Sequence, residues 1–404
     1  MGNADESLRN PPLLGTRLEA YTERVAPGES TIDRVRIAPL DGLRALALLA
    51  VFAFHTWEFA GSPEIPVVSE VVSQNIRPDF FVVLTGFLLY LPFARDAARH
   101  RAFKTGVYLR RRLRRIVFPY WAALIYAVTL PEVLVAYMRA IGHEASWQPT
   151  PGIVDLLTHF TFTHLFFEDY WDGVNGSLWT MSLEMQLYLL FPLLILVAAR
   201  WGVPALLATM GVSVLFRVAV AILVAENTQF MWSASGVGRL MEFVTGMLTA
   251  VVVFTMLDRV RGWVLAALPA GVVGGYLVAT LPALQHTVLP LRELGLSLMF
   301  SCFIVLVLAV PLLSRAVSLR PLTFVGYRAY SIFLIHQPTA WYFSELLKKV
   351  IGVPEGLELL GILWTVGFGV VFLVGWVLFV TVEKPCITWS QRAGAARPQS
   401  VFPV

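Results

Sequence analysis

The stretch from Pro39 to Glu58 reads PLDGLRALALLAVFAFHTWE. Apart from Asp41, Arg44, His55 and Glu58 it is an apolar run of about the 20 residues that an α-helix needs to cross a bilayer. Arg44 and His55 are eleven residues apart. That is about three helical turns, so both side chains share one face, roughly 16 Å apart along the axis. Asp41 and Glu58 fall within roughly 60° of the same line. Four ionisable groups on one stripe are costly in lipid, so the stripe is expected to face a bundle interior or a water-filled cavity.

The rest of the chain has the same character. Of its 404 residues, 57% are hydrophobic and 14% charged, against about a quarter charged in a soluble domain. The mean hydropathy is +0.69. Nine further apolar runs follow 39–60, at 76–94, 116–138, 178–199, 203–224, 238–257, 262–281, 291–313, 327–347 and 358–382. The expected fold is therefore all-α, a polytopic integral membrane protein of about ten transmembrane helices around a polar cavity. Residues 1–36 read as a polar tail without a cleavable signal, 37–383 as the membrane domain and 384–404 as a second tail. With the N-terminus in the cytoplasm, cytoplasmic tails and loops hold 22 of the 31 Lys and Arg and the outer loops and helix ends hold four. The bias toward the inside orients the chain. Both termini are expected in the cytoplasm and the bundle in the plasma (inner) membrane, with 139–177 as a long extracytoplasmic segment. Cys302 and Cys386 suggest neither a disulfide nor a metal site. The net charge of +4 is small, and no nucleic-acid partner is expected.

This stripe of the first run has a chemical use. Histidine can take a proton from a hydroxyl near neutral pH. Glu58, one turn from His55, can hold the imidazole in one tautomer, and Arg44 can pair with a phosphate in a bidentate way. The competing reading is an interhelical polar clamp. The loop 95–115 is strongly basic and ends in Arg110, Arg111, Arg112, Arg114 and Arg115. It can fix topology, touch anionic lipid or bind a phosphate-bearing donor. Trp179 and Glu184 open the fourth run, with Glu184 expected at its outer mouth. Arg239 and Glu242 read as an ion pair three residues apart on one helix. Ser331 and His336 lie in the ninth run, and packing, a supporting bond and catalysis are all open for His336. Glu383-Lys384-Pro385 closes the last run and reads as structural. The aromatic and acidic residues of 139–177, among them His159, His164, Trp171 and Asp172, suit sugar stacking and hydroxyl bonding.

Together these stretches resemble the acyltransferase-3 family of membrane O-acyltransferases over Pro39 to Pro385. The Leu-Asp-Gly-Leu-Arg-Ala stretch with His55 eleven residues after Arg44 is similar to the family's first-helix signature. Phe80 to Leu88 resembles its second-helix motif, with Thr85 where Ser is commoner. The basic loop, Trp179–Tyr188, Arg239–Gly246, Tyr330–Pro338 and Glu383–Pro385 follow in the family's order. Pro119 departs from the pattern by one position. The short tail after the tenth run suggests the stand-alone form without a fused esterase-like domain.

The resemblance implies transfer of an acyl group, often acetyl, from cytoplasmic acyl-CoA to a hydroxyl of a glycan, glycolipid, lipid or small molecule. Acyl-CoA would be a co-substrate, with no permanently bound cofactor. His55 would be base or covalent acyl relay, with Glu58 and Arg44 beside it. Asp41, Arg44, Arg111, Arg112, Arg114 and Arg115 form the candidate donor-binding set. Trp179, Glu184, Ser331 and His336 are the candidate substrate-binding residues. Readings from other classes are a transporter or flippase without covalent chemistry, which repeat symmetry would favour, and a scaffold for glycan assembly.

Overall fold

The computed structural model describes residues 37–74, 76–94, 100, 103–143, 151–256, 262–285 and 288–392. The expected N-terminal tail, the last residues of the C-terminal tail, Trp147 and parts of the basic loop lie outside the described residues. The described residues contain helices and no strands.

The main helices are α1 (Ala38–Phe59), α2 (Arg77–Tyr90), α3 (Thr105–Ala140), α4 (Ile153–Phe160), α5 (Trp179–Leu223), α6 (Glu226–Ser233), α7 (Leu240–Met256), α8 (Trp263–Thr280), α9 (Leu291–Ala309), α10 (Ala329–Leu346) and α11 (Leu357–Gln391). Six of them, α1, α3, α5, α8, α9 and α11, are long and apolar enough to cross a membrane, and α2 and α7 hold shorter apolar helices. The ten apolar runs map onto nine helices among the described residues, because 178–199 and 203–224 are the two halves of α5. Gly202 (φ 68°, ψ −154°) breaks α5 between them, a backbone state that suits glycine. Leu193, Leu196, Leu215, Leu223 and Leu373 project outward from the bundle, as lipid-facing side chains do.

Two boundaries differ from the sequence expectation. The basic stretch is not a loop. α3 begins at Thr105 and carries Arg110–Arg115 in its first turns, with Arg111 and Arg112 buried. Arginine is a good helix former, and no breaker occurs between Tyr108 and Phe118. Residues Lys384–Arg392, read as the start of a tail, continue the last helix and pack on α3.

Within 139–177, the described residues 151–177 do not simply run over a surface. α4 and the turn His164–Phe166 fold back against the bundle. Tyr120 Oη donates to His159 O at 3.2 Å, Trp121 Nε1–H to Phe160 O at 3.0 Å, and Ser182 Oγ–H to Phe162 O at 2.6 Å. α4 turns Asp155, Thr158 and His159 inward and leaves Ile153, Val154 and Leu157 exposed.

Two devices hold the helices together. The first is close backbone approach at small residues. Gly42 of α1 lies against Val317 O, and Gly326 against Asp41 O. Gly86 of α2 faces Phe243 O, and Gly246 of α7 faces Val83 O. Gly275 of α8 and Gly295 of α9 sit on each other's carbonyls. The second is a buried charge network. Arg239 reaches Asp79 at 2.6 Å and Glu242 at 2.9 Å, so the expected helical ion pair is present within a larger cluster. Arg217 reaches Glu242 at 3.4 Å and Glu293 at 2.7 Å, and Arg292 lies 3.9 Å from Asp79. Four helices, α2, α5, α7 and α9, are tied by these groups.

The close approach of α2 and α7 can be tested. A Cβ at Gly86 would land inside the contact distance of Phe243 O, with only backbone to give way, whereas one at Gly211 of α5 would meet nothing within 4 Å. Gly86→Ala is expected to destabilise the detergent-solubilised protein by roughly 1–3 kcal/mol or more, and Gly211→Ala to leave it unchanged or slightly more stable. Thermal melting of both variants measures the contrast; equal melting points would contradict the packing.

Candidate active site

One cavity of about 600 Å³ lies among α1, α2, α3, α5, α10 and α11 and reaches α6 and the 171–177 stretch. α1 brings its whole ionisable stripe to the wall, since Asp41, Arg44, His55 and Glu58 all line the cavity.

At one end stands His55. Its Nδ1 lies 3.2 Å from Glu58 Oε2. The carboxylate can only accept, so Nδ1–H donates, and in the neutral imidazole Nε2 keeps its lone pair. Phe54 and Phe59 pack on the ring at 5.1 and 6.0 Å between centroids. Trp171, Ser177, Trp179, Phe230 and Gln337 line the cavity. Phe230 sits 4.9 Å from Trp171 and 5.2 Å from Trp179, making one aromatic cluster.

The other end gathers three arginines, Arg44, Arg112 and Arg115, with the carboxyl groups of Asp41, Glu184 and Glu383. Arg44 Nη1 donates to Asp41 Oδ1 at 3.2 Å. Arg112 and Arg115 project from α3 into the same space. Arg112 lies over the rings of Tyr188 (5.5 Å) and Tyr108 (5.9 Å), and its Nε and Nη2 are buried without a hydrogen-bond partner. A buried guanidinium with two unused donors fits an anionic ligand. Glu184 accepts from Tyr188 Oη at 3.1 Å and interacts with Arg112 and Arg115. Glu383 lines the cavity, takes hydrogen bonds from Ser331 N–H and Oγ–H, and interacts with Arg115 and Arg44.

The sequence-predicted residues divide accordingly. Asp41, Arg44, His55, Glu58, Arg112, Arg115, Trp179 and Glu184 share the cavity; Arg111, Arg114, Ser331 and His336 are not among its lining residues. Arg114 instead stacks on Trp389 at 4.2 Å, and Arg111 is buried elsewhere on α3. Helical geometry is the reason. Positions 112 and 115 lie within about 60° of each other, and position 114 faces another way. Ser331 acts from behind through Glu383, and His336 packs behind His55 with its ring 5.3 Å away. Glu184 belongs to the arginine end and not to an outer mouth, because α5 begins at Trp179 beside the folded-back segment. Tyr188, Tyr330, Phe230 and Gln337 were not singled out in the sequence as cavity residues. The i, i+4 spacing of Glu184 and Tyr188 was the available signal.

A second ionisable cluster lies off the cavity. His159 and His164 are fully buried, with rings stacked 4.0 Å apart. His159 Nδ1 lies 2.9 Å from Asp155 Oδ1, and His164 Nε2–H donates to Leu178 O at 3.1 Å. Burial lowers His159 to about 3, with repulsion from His164 adding to it, and lowers His164 to about 4. Burial and the nearby Asp172 raise Asp155 to about 6.

A family profile described as an acyltransferase domain matches residues 37–381. The peptidoglycan O-acetyltransferase OatA of Listeria monocytogenes is 26% identical over 341 residues, covering 78% of this chain and 51% of that protein. The O-acetyltransferase OatA of Staphylococcus aureus is 23% identical over 350 residues, covering 80% and 52%. The acyltransferase MdmB of Streptomyces mycarofaciens is 25% identical over 402 residues, covering 91% and 95%. The chain thus spans about half the length of the OatA proteins and nearly all of MdmB. No solved structure matches.

The histidine pair sets a pH dependence. Below the ordinary histidine value of 6.5 the unfolded chain takes two protons that buried His159 and His164 refuse, while Asp155 takes one back below about 6. The unfolded state binds about one proton more between pH 6 and 4, so stability falls on acidification by roughly 1.4 kcal/mol per pH unit. Melting of the solubilised protein at pH 7.5 and 5 should show the loss, and His159→Gln should flatten it. A steeper loss in the variant would contradict the assignment.

Proposed function

The chain belongs to the acyltransferase-3 family, and from that premise we propose that it is a membrane O-acyltransferase moving an acetyl group from acyl-CoA to an acceptor hydroxyl. The observation that carries the reading is one cavity with Arg44, Arg115 and the buried Arg112, two of whose donors have no hydrogen-bond partner, at one end and the His55–Glu58 pair at the other. We read the ten apolar runs as ten crossings of the plasma membrane with both termini in the cytoplasm, supported by the Lys and Arg bias. The arginine end then opens toward the cytoplasm, where acyl-CoA is available.

In this reading Arg44, Arg112 and Arg115 hold the phosphates of CoA, and Asp41 orients Arg44. The pantetheine arm runs along α1 and brings the thioester to His55. His55 Nε2 takes the proton of the acceptor hydroxyl, Glu58 holding the other nitrogen. The oxygen attacks the thioester carbonyl, the C–S bond breaks, and the proton passes to the departing thiolate. The products are an O-acyl ester and free CoA. At the histidine end Trp171, Trp179 and Phe230 offer ring faces and Ser177 and Gln337 offer hydrogen bonds, which suits a sugar-like or other ring-bearing acceptor. Residues 140–199 contain no Lys or Arg, and Glu168, Asp169 and Asp172 are exposed. An uncharged or amine-bearing acceptor therefore suits this end better than an anionic one.

The test is ester formation by purified protein in lipid nanodiscs with labelled acetyl-CoA and a panel of neutral, amine-bearing and anionic glycosides and lipid alcohols. A transporter or scaffold forms no ester with any of them. His55→Ala should lower transfer by roughly 10²–10⁴-fold while eluting as a folded, monodisperse protein; wild-type turnover in that variant rejects His55 as the base.

Donor binding separates the arginines. Arg44→Ala and Arg112→Ala should each weaken acetyl-CoA binding, measured without acceptor, by roughly ten- to a hundredfold, the cost of about 1.5–3 kcal/mol for a charge-assisted bond. Arg114→Ala, whose side chain lies on Trp389, should bind as wild type. Equal affinities across all three variants would remove the donor from this end of the cavity.

A further inference from the structure

His336 of α10 does not line the cavity, yet both of its nitrogens tell against a plain packing role. Its Nδ1–H donates to Phe333 O on its own helix. That bond settles the tautomer: Nε2 carries a lone pair. The side chain is fully buried, and Nε2 has no hydrogen-bond partner. A buried acceptor left unused costs stability, and an apolar residue of the same shape would avoid the cost. Because Nδ1 turns back onto α10, Nε2 is left for the facing helix. The ring of His55, on α1, lies 5.3 Å from that of His336 between centroids and is tilted by 46°.

From this placement we infer that His336 is a positioning residue that acts through His55, orienting its imidazole and favouring its positive form during transfer. The inference rests on His55 being the base of the proposed reaction. Proton uptake turns His55 into a cation with Glu58 on one side. The lone pair of His336 supplies a second negative dipole from another helix, and it does so without touching donor or acceptor. Of the side chains that line this end of the cavity, Pro78, Phe81, Trp171, Trp179 and Phe230 carry no charge. Glu58 on its own helix and His336 on α10 are ionisable groups beside His55. Phe333 and Gln337, on either side of His336, do line the cavity, so the same turn of α10 contributes to the wall and to the support behind it.

Three substitutions separate positioning from packing. His336→Phe keeps a ring and loses both nitrogens. His336→Asn keeps an amide that can donate to Phe333 O and has nothing at the Nε2 position. His336→Gln places an acceptor close to where Nε2 was. With labelled acetyl-CoA and the glycoside that gives wild-type turnover in the panel above, Phe and Asn should lower kcat by roughly 10- to 100-fold, with acetyl-CoA binding and KM within about twofold of wild type. Gln should recover a large part of kcat. A merely structural role would instead lower folded yield and donor binding together and would not be rescued by Gln. A kcat within twofold of wild type in both Phe and Asn overturns the inference.

An acetyl-independent measurement keeps the inference apart from the enzyme reading. In protein labelled with [15N]histidine, the His55 nitrogen signals should shift in His336→Phe relative to wild type. Wild-type His336 should show a protonated Nδ1 and a bare Nε2. If wild type transfers acetyl to nothing in the panel, the acyltransferase reading falls. Unchanged His55 signals in His336→Phe, or a protonated Nε2 in wild type, overturn the coupling of the two histidines whatever the activity.

Discussion

An ionised side chain inside a membrane bundle needs an opposite charge or water, and that constraint organises this molecule. Asp79, Arg217, Arg239, Glu242, Arg292 and Glu293 form a cluster of three acids and three arginines that cancel. Removing one partner of such a buried group leaves an uncompensated charge, which costs far more than a surface pair contributes. The cluster therefore holds α2, α5, α7 and α9 in one register, and the glycine contacts of α2 with α7 let those two backbones come close enough for their charges to meet. The same logic singles out the arginine end of the cavity, where Arg112 keeps two donors unused. Paired charge reads as framework; charge with spare valence beside a cavity reads as a place for a ligand.

Much of this was legible in the sequence where one helix carried the whole signal. The stripe Asp41, Arg44, His55, Glu58 follows from the helical repeat alone, and the structure puts all four on one cavity wall. The Arg239–Glu242 pair was legible for the same reason. What the sequence hid was contact between distant segments. Nothing local in Arg239 points to Asp79, and nothing local in Glu383 points to Ser331 or the arginines. The basic stretch was misread because a run of arginines suggests a loop at a membrane surface; the structure continues α3 through it, and the helical repeat then sorts Arg112 and Arg115 from Arg114. The folding back of 153–178 was also hidden, since a polar segment with aromatics fits a surface loop equally well. Bonds from Tyr120, Trp121 and Ser182, with Phe162 and Leu165 buried in the core, draw it in.

The segment also explains why the two ends of the cavity differ in character. α1 starts the difference, with Asp41 and Arg44 at one end and His55 and Glu58 at the other. What packs opposite extends it. α3, the lower part of α5 and Glu383 bring arginines, tyrosines and carboxylates together around Arg44, where their charges are largely matched. The folded-back segment, the start of α5 and α6 bring Trp171, Trp179 and Phe230 toward the end that holds His55 and introduce no cation there.

A continuous helix between the two ends has a mechanical consequence. The side chains of Arg44 and His55 are separated by eleven residues of α1, whose apolar face (Leu43, Ala47, Leu48, Phe52) is buried in the core. Such a helix does not stretch, so the distance from the arginine end to the imidazole is set to about 16 Å by backbone geometry and not by flexible loops. For a ligand that must be gripped by its charges and react at its far end, that spacing acts as a ruler. Binding energy gathered at the arginines is then spent on placing a reactive group beside His55, which is how contacts remote from the chemistry come to govern its rate.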